Sequence, residues 1–230
     1  MTDFLTSLPV FCLALTAGAF QFGRWCQKKT GSALCNPLLI SILVVTGSLL
    51  LTGITPEDYS ASLSGLSWLM TPATVCLAVP LYRQIKFLKK NLPAILTGIL
   101  AGTLTSLASI FLMCRLFGFD RQLTVSLLPK SITTAVGIVL SEQNGGISAL
   151  TSVTIIITGI LGNLTGPALC KLLKITDPVS QGVAFGTASH VIGTSRAMEA
   201  DPITGAVSSL SLAVSGIITA LIFPWVCMLA

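Results

Sequence analysis

The sequence predicts an all-α, polytopic membrane protein: six full transmembrane helices plus two broken or re-entrant segments, with eight helices as the alternative. Two observations predict this class. Hydrophobic residues make up 53% of the 230 residues and charged residues 9%, with a mean hydropathy of +0.89. A soluble domain carries about a quarter charged residues. The charges are also unevenly placed. Six stretches, 4–23, 30–56, 59–82, 91–114, 143–170 and 202–230, contain no Asp, Glu, Lys or Arg, and each is at least 20 residues long. That is the length a helix needs to cross the hydrocarbon core. None alternates apolar and polar residues as a barrel strand would, and in lipid only helices and closed barrels satisfy their backbone. A soluble enzyme, a nucleic-acid binder and a disordered chain are excluded on composition. Residues 1–230 read as a single integral membrane domain.

The elements follow in order. Residues 1–23 lack a basic leader region and carry Asp3, so the first apolar stretch is expected to stay as a span. Basic residues then cluster between spans, first Arg24, Lys28 and Lys29, later Arg83, Lys86, Lys89 and Lys90, while the intervening loop holds Glu57 and Asp58. This alternation is the positive-inside pattern. With six crossings, Lys171 and Lys174 join the same side, leaving only Arg115 and Arg121 opposite. With eight, Lys171 and Lys174 change sides and the bias weakens. The seven cysteines, Cys12, Cys26, Cys35, Cys76, Cys114, Cys170 and Cys227, form no CxxC motif and read as free thiols.

Two intervals, 115–142 and 171–201, are too apolar for simple loops. They hold the motif segments 123–146 (LTVSLLPKSITTAVGIVLSEQNGG) and 181–202 (QGVAFGTASHVIGTSRAMEADP). At an offset of 60, Lys130, Ile132 and Thr134 fall on His190, Ile192 and Thr194. Residues 71–82 resemble the first segment around Pro72 and Pro129. An internal repeat of this kind suits a transporter, in which broken helices form the central site.

The candidate site residues lie in these segments. Lys130 follows Pro129 in an apolar frame, and a lysine at membrane depth costs a few kcal/mol. Pro129 suits a helix start, and Ser131, Thr133 and Thr134 supply hydroxyls beside it, which together make an anion receptor. The alternative is a snorkelling lysine beside a plain cap. His190 is the only histidine. It either carries a proton or orients a ligand, or it is a hydrogen-bonded core residue. Ser189 and Thr194 flank it. Arg196 either holds a carboxylate through its fork or pairs with Glu199 at i+3. Asn163 is expected to bind substrate or make a polar contact between helices. The excess of basic over acidic groups at the centres of both segments points to a small anion, most simply a carboxylate. No metal site is expected, since no second His or spaced Cys/Asp set accompanies His190. No cofactor or enzyme signature appears either: no triad, phosphate loop or dinucleotide fingerprint is present.

These residues carry a family resemblance. Leu127–Thr134, Gly145-Gly146-Ile147, Thr158–Gly162, Gly186–His190 and Gly193–Ala197, with Asn36–Leu39, Pro72–Val75 and Pro80-Leu81-Tyr82, resemble the LrgB/CidB/YohK family over essentially the whole chain. Ala135 departs from the family pattern, which often has proline after the Thr-Thr pair, and Ser195 stands where alanine is common. The resemblance implies two functions. One is a holin-like or antiholin-like protein of the bacterial cytoplasmic membrane that modulates murein hydrolase activity and lysis with an LrgA/CidA-type partner. The other, through the LrgB-like part of the plastidial glycolate/glycerate translocator, is transport. The residue pattern favours transport of monocarboxylates such as pyruvate, glycolate or glycerate by alternating access, since a pore has no need of a centred Lys130–His190–Arg196 set. In that reading Lys130 and Arg196 hold the carboxylate. A homo-oligomer is compatible with either function.

Overall fold

Residues that cannot sit comfortably in lipid mark the ends of helices here. Asp120, Asp177 and Asp201 each accept a backbone N–H from the first turn that follows (Leu123, Ser180, and both Ile203 and Thr204, at 2.8–3.0 Å), and Thr55 accepts from Asp58. Pro56, Pro178 and Pro202 open helices at the position where a missing N–H costs nothing. The Asp177 carboxyl lies below its usual range because the Ser180 hydroxyl and then its backbone N–H donate to it. These caps punctuate an all-helical chain.

The computed structural model describes residues 9–30 and 37–229. Cys35 and Asn36 of the sequence reading lie outside the described residues, as do residues 1–8 and 230. The described helices are α1 (Pro9–Thr30), α2 (Pro37–Thr52), α3 (Pro56–Ser62), α4 (Ser64–Trp68), α5 (Met70–Cys76), α6 (Ala78–Arg83), α7 (Ile85–Leu116), α8 (Arg121–Leu127), α9 (Thr134–Gln143), α10 (Ser148–Leu172), α11 (Pro178–Ala200) and α12 (Pro202–Leu229). Three of them, α7, α10 and α12, are long and apolar enough to cross a membrane. They fall on the charge-free runs 91–114, 143–170 and 202–230. The α2–α3 pair is bent by 115°. The run 59–82, expected as one span, is instead a series of short helices; it contains Pro72 and Pro80, each of which removes a ladder donor.

The chain packs as two compact units, residues 1–76 and 77–230. In the first, α1 lies against α2, and the Thr16 and Tyr59 hydroxyls share a 2.5 Å hydrogen bond. In the second, α12 is the central element and packs on α11, α7 and α6. One apolar cluster joins Leu107, Ile110 and Cys114 of α7 to Val125 of α8 and to Phe223 and Cys227 of α12. Another joins Leu88, Ile95 and Ile99 of α7 to Val207 of α12.

The polarity of this unit is that of a membrane protein. On α12 the buried residues include Thr204, Gly205, Ser208, Ser209, Ser211, Ser215 and Thr219, while Ile217, Leu221 and Trp225 are exposed. Lipid is as apolar as leucine, so helices in it associate through small residues and hydroxyls rather than through buried apolar bulk. Several of those hydroxyls return a bond to their own helix: Ser209 donates to Gly205 O and Ser211 to Val207 O.

A hydroxyl-lined cavity between two helix breaks as the candidate functional site

The first break separates α8 from α9. Pro129 has no N–H to continue the helix, and the chain turns through Lys130 N–H to Leu127 O and Ile132 N–H to Pro129 O. Thr133 is extended (φ −66°, ψ 143°) and α9 restarts at Thr134. Pro129 and Ser131 are buried, whereas Lys130, Thr133 and Thr134 are half-buried. The Lys130 ammonium donates to Ser131 Oγ at 3.3 Å, and Ser131 Oγ shares a 2.9 Å bond with Ser106 Oγ of α7.

The second break lies inside α11. Ser189 leaves helical geometry, and His190 has φ 42° and ψ −136°, a conformation L-residues rarely adopt. Tertiary contacts hold it there. His190 Nε2 bonds Ile155 O of α10 at 2.9 Å; Thr194 Oγ1 donates to His190 O and shares a bond with Ser208 Oγ of α12. The packing requires glycine opposite: a Cβ on Gly159 would stand 2.6 Å from His190 Cε1, and one on Gly162 would stand 2.5 Å from Ser189 Cβ. Asn163 Nδ2 donates to Ile192 O, bracing the second half of α11 against α10.

One helix, α10, ties the two breaks together. Thr151 Oγ1 lies 3.0 Å from Ser126 O of α8 and 2.7 Å from Ser141 Oγ of α9, so it grips both halves of the first broken segment. Ile155, one turn further on, is fully buried and receives His190 of the second.

Beside the first break lies a cavity lined by Thr103, Ser106, Leu107, Leu128, Ser131, Ile132, Thr187, Ser215 and Thr219. It has room for roughly one water molecule. Among the described residues, Thr103 Oγ1 is a buried side-chain oxygen with no hydrogen-bond partner.

Of the residues expected at the site, Ser131 lines this cavity, and Lys130 is joined to it through its bond to Ser131 Oγ. Ser189, His190, Thr194 and Asn163 are engaged in holding the second break. Arg196 stands apart: it pairs with Glu199 at 3.0 Å and lines a different pocket, with Lys171 and Lys174. The structure therefore does not assemble a Lys–His–Arg set around one ligand position. Sequence reasoning missed Thr103, Ser106, Thr187, Ser215 and Thr219. The available signal was hydroxyls at helical spacing within apolar runs, Ser211, Ser215 and Thr219 among them.

The model of the LrgB-like family matches residues 16–229. Holin-like protein CidB of Staphylococcus aureus (strain Mu50 / ATCC 700699) is 33% identical over 224 residues, covering 97% of each chain. Holin-like protein CidB of Staphylococcus epidermidis (strain ATCC 12228 / FDA PCI 1200) is 32% identical over the same length and share. Antiholin-like protein LrgB of Bacillus subtilis (strain 168) is 31% identical over 220 residues, 95% of each. No solved structure matches the chain. With likeness running almost end to end and the motif segments inside the matched range, this multi-pass membrane protein belongs to the LrgB-like family.

Proposed function

We propose that this chain acts in the bacterial cytoplasmic membrane as a holin-like or antiholin-like protein. In this reading it modulates murein hydrolase activity and lysis together with an LrgA/CidA-type membrane partner. The observation that carries it is the likeness to proteins of those names over 95–97% of the chain. The topology we propose has six crossings, the run 59–82 crossing as its series of short helices, with the two broken motif segments between them, because that arrangement collects Arg24, Lys28, Lys29, Arg83, Lys86, Lys89, Lys90, Lys171 and Lys174 on one side.

A second reading rests on one geometric observation, a half-buried lysine beside an enclosed hydroxyl cavity at a helix break. Under it the chain carries small monocarboxylates such as pyruvate, glycolate or glycerate by alternating access. Lys130 supplies the cation, and the hydroxyls of Ser131, Ser106 and Thr103 supply donors for the carboxylate oxygens. His190 holds the second break in shape. Arg196 has no part in this binding, since it faces elsewhere. The cavity holds roughly one water, so entry of a carboxylate requires the first break to open.

Purified chain in liposomes, with and without the partner, separates the readings. Leakage of small dyes that depends on the partner and is unchanged in Lys130→Ala supports the first. Saturable uptake of labelled pyruvate or glycolate that is lost in Lys130→Ala supports the second. Absence of both fluxes under all conditions overturns both.

A further inference from the structure

A second pocket lies away from the hydroxyl cavity, where the end of α10 meets α11. Its volume is about 390 Å³, and it is lined by Pro167, Cys170, Ile175 and Phe185 together with Lys171, Lys174 and Arg196. The first four make an apolar floor; Cys170 and Phe185 are buried and belong to one apolar cluster with Ala197, against which Ile175 packs. The three cations stand around it. Arg196 spends one guanidinium N–H on Glu199, which leaves the rest of its five-donor fork.

The basic residues are not all explained by their own helices. Cations at a helix C-terminus favour the macrodipole, which accounts for Lys171 and Lys174 at the end of α10. It does not account for Arg196, which α11 brings to the same pocket. Lys174 also holds a costly position. It has φ 54°, at the point where Ile175 N–H returns to Cys170 O and closes the helix, a place where glycine is the usual residue. The following loop is fixed over the pocket by Gln181 Nε2 donating to Ile175 O at 2.7 Å. Among the described helices, α10 is one of three long and apolar enough to cross a membrane, and the end of a crossing helix falls at head-group depth.

From this arrangement we infer that the pocket formed by Lys171, Lys174 and Arg196 over the Cys170–Phe185 floor binds a phosphate-bearing anion, and that an anionic phospholipid head group is the form it takes best. The cationic rim matches the phosphate, and the apolar floor matches the glycerol and first methylenes of the chain. Inorganic phosphate shares the first contact and lacks the second. This inference is independent of either reading of the hydroxyl cavity.

The test uses the full chain in a neutral detergent with three probes: short-chain phosphatidylglycerol, short-chain phosphatidylcholine and inorganic phosphate. Binding is read by native mass spectrometry and by the shift in unfolding temperature. We expect phosphatidylglycerol to bind about tenfold more tightly than phosphatidylcholine, and Lys171→Gln/Lys174→Gln/Arg196→Gln to erase that preference. Lys171→Gln and Lys174→Gln alone, both at exposed positions, should each weaken phosphatidylglycerol about threefold and keep the reading available if the triple variant fails to fold. Phosphatidylglycerol that resists a hundredfold excess of inorganic phosphate supports the lipid as occupant. Displacement by equimolar phosphate supports the site but makes a soluble phosphate compound its occupant. Equal binding of the two lipids with no binding of phosphate, or an undiminished preference in folded variants, overturns the inference.

Discussion

The two helix breaks differ in what makes them. Between α8 and α9 the interruption is written locally: Pro129 cannot donate, the chain turns, and α9 begins anew. Inside α11 no proline interrupts the chain, and His190 is held in a left-handed conformation by Ile155, Thr194 and the space above Gly159 and Gly162. The first break thus owes its start to one residue, and the second to its neighbours. A local break leaves its basic residue at the surface of the break, where Lys130 donates to Ser131. A tertiary break consumes its basic residue, and His190 is committed to structure.

The contrast sets an order of expected effects. Gly159→Ala strikes the tertiary break hardest, since its Cβ meets the His190 ring at 2.6 Å; we expect it to lower the unfolding free energy in mixed micelles by about 3 kcal/mol. Thr151→Val removes the tie between the halves of the first segment and strands a buried Ser141 hydroxyl. Its cost should be about 2 kcal/mol by the same measurement. His190→Ala should be worse than His190→Gly by about 1 kcal/mol, because glycine relieves the positive φ that alanine keeps. Equal costs for the two variants would show that the backbone at residue 190 relaxes once the ring is gone. Thr103→Val removes the orphan hydroxyl with little change of shape and should raise stability by up to about 1 kcal/mol; a loss of stability instead would place an ordered water in the cavity. Pro129→Ala has the smallest energetic effect and the sharpest local one, slowed hydrogen exchange of the amides from Lys130 to Ile132 as the helix extends. The same substitution made in parallel should leave exchange around His190 unchanged.

Much of this architecture is legible in the chain itself. The alignment at an offset of 60 set Lys130 over His190, and both residues lie at the interruptions of their helices. The runs 91–114, 143–170 and 202–230 supply the long apolar helices α7, α10 and α12, each of which absorbs one interior proline, Pro93, Pro167 and Pro224. The site was less legible. Thr103, Ser215 and Thr219 reach the cavity from helices far away in sequence, and a serine in an apolar run looks the same whether it faces a cavity or its own helix. The i+3 pairing of Arg196 with Glu199 was readable from spacing, whereas its meeting with Lys171 and Lys174 depends on how α11 turns at the break. The run 59–82 had the length and hydropathy of a span, and its prolines were the warning.

The buried face of α12 has a mechanical consequence. It is built mainly of small and hydroxyl residues, and the hydroxyls of Ser209, Ser211 and Ser215 are already satisfied within the helix. Its larger buried side chains are few, Val207, Leu212 and Phe223, and Val207 seats against Gly182 of α11, while Thr194 to Ser208 is a bond that crosses between the two helices. The helices are held by close backbone approach instead, with Gly182 and Gly186 of α11 lying directly against Val207, Ser208 and Ser211, so a single added methyl group at either glycine wedges the pair apart.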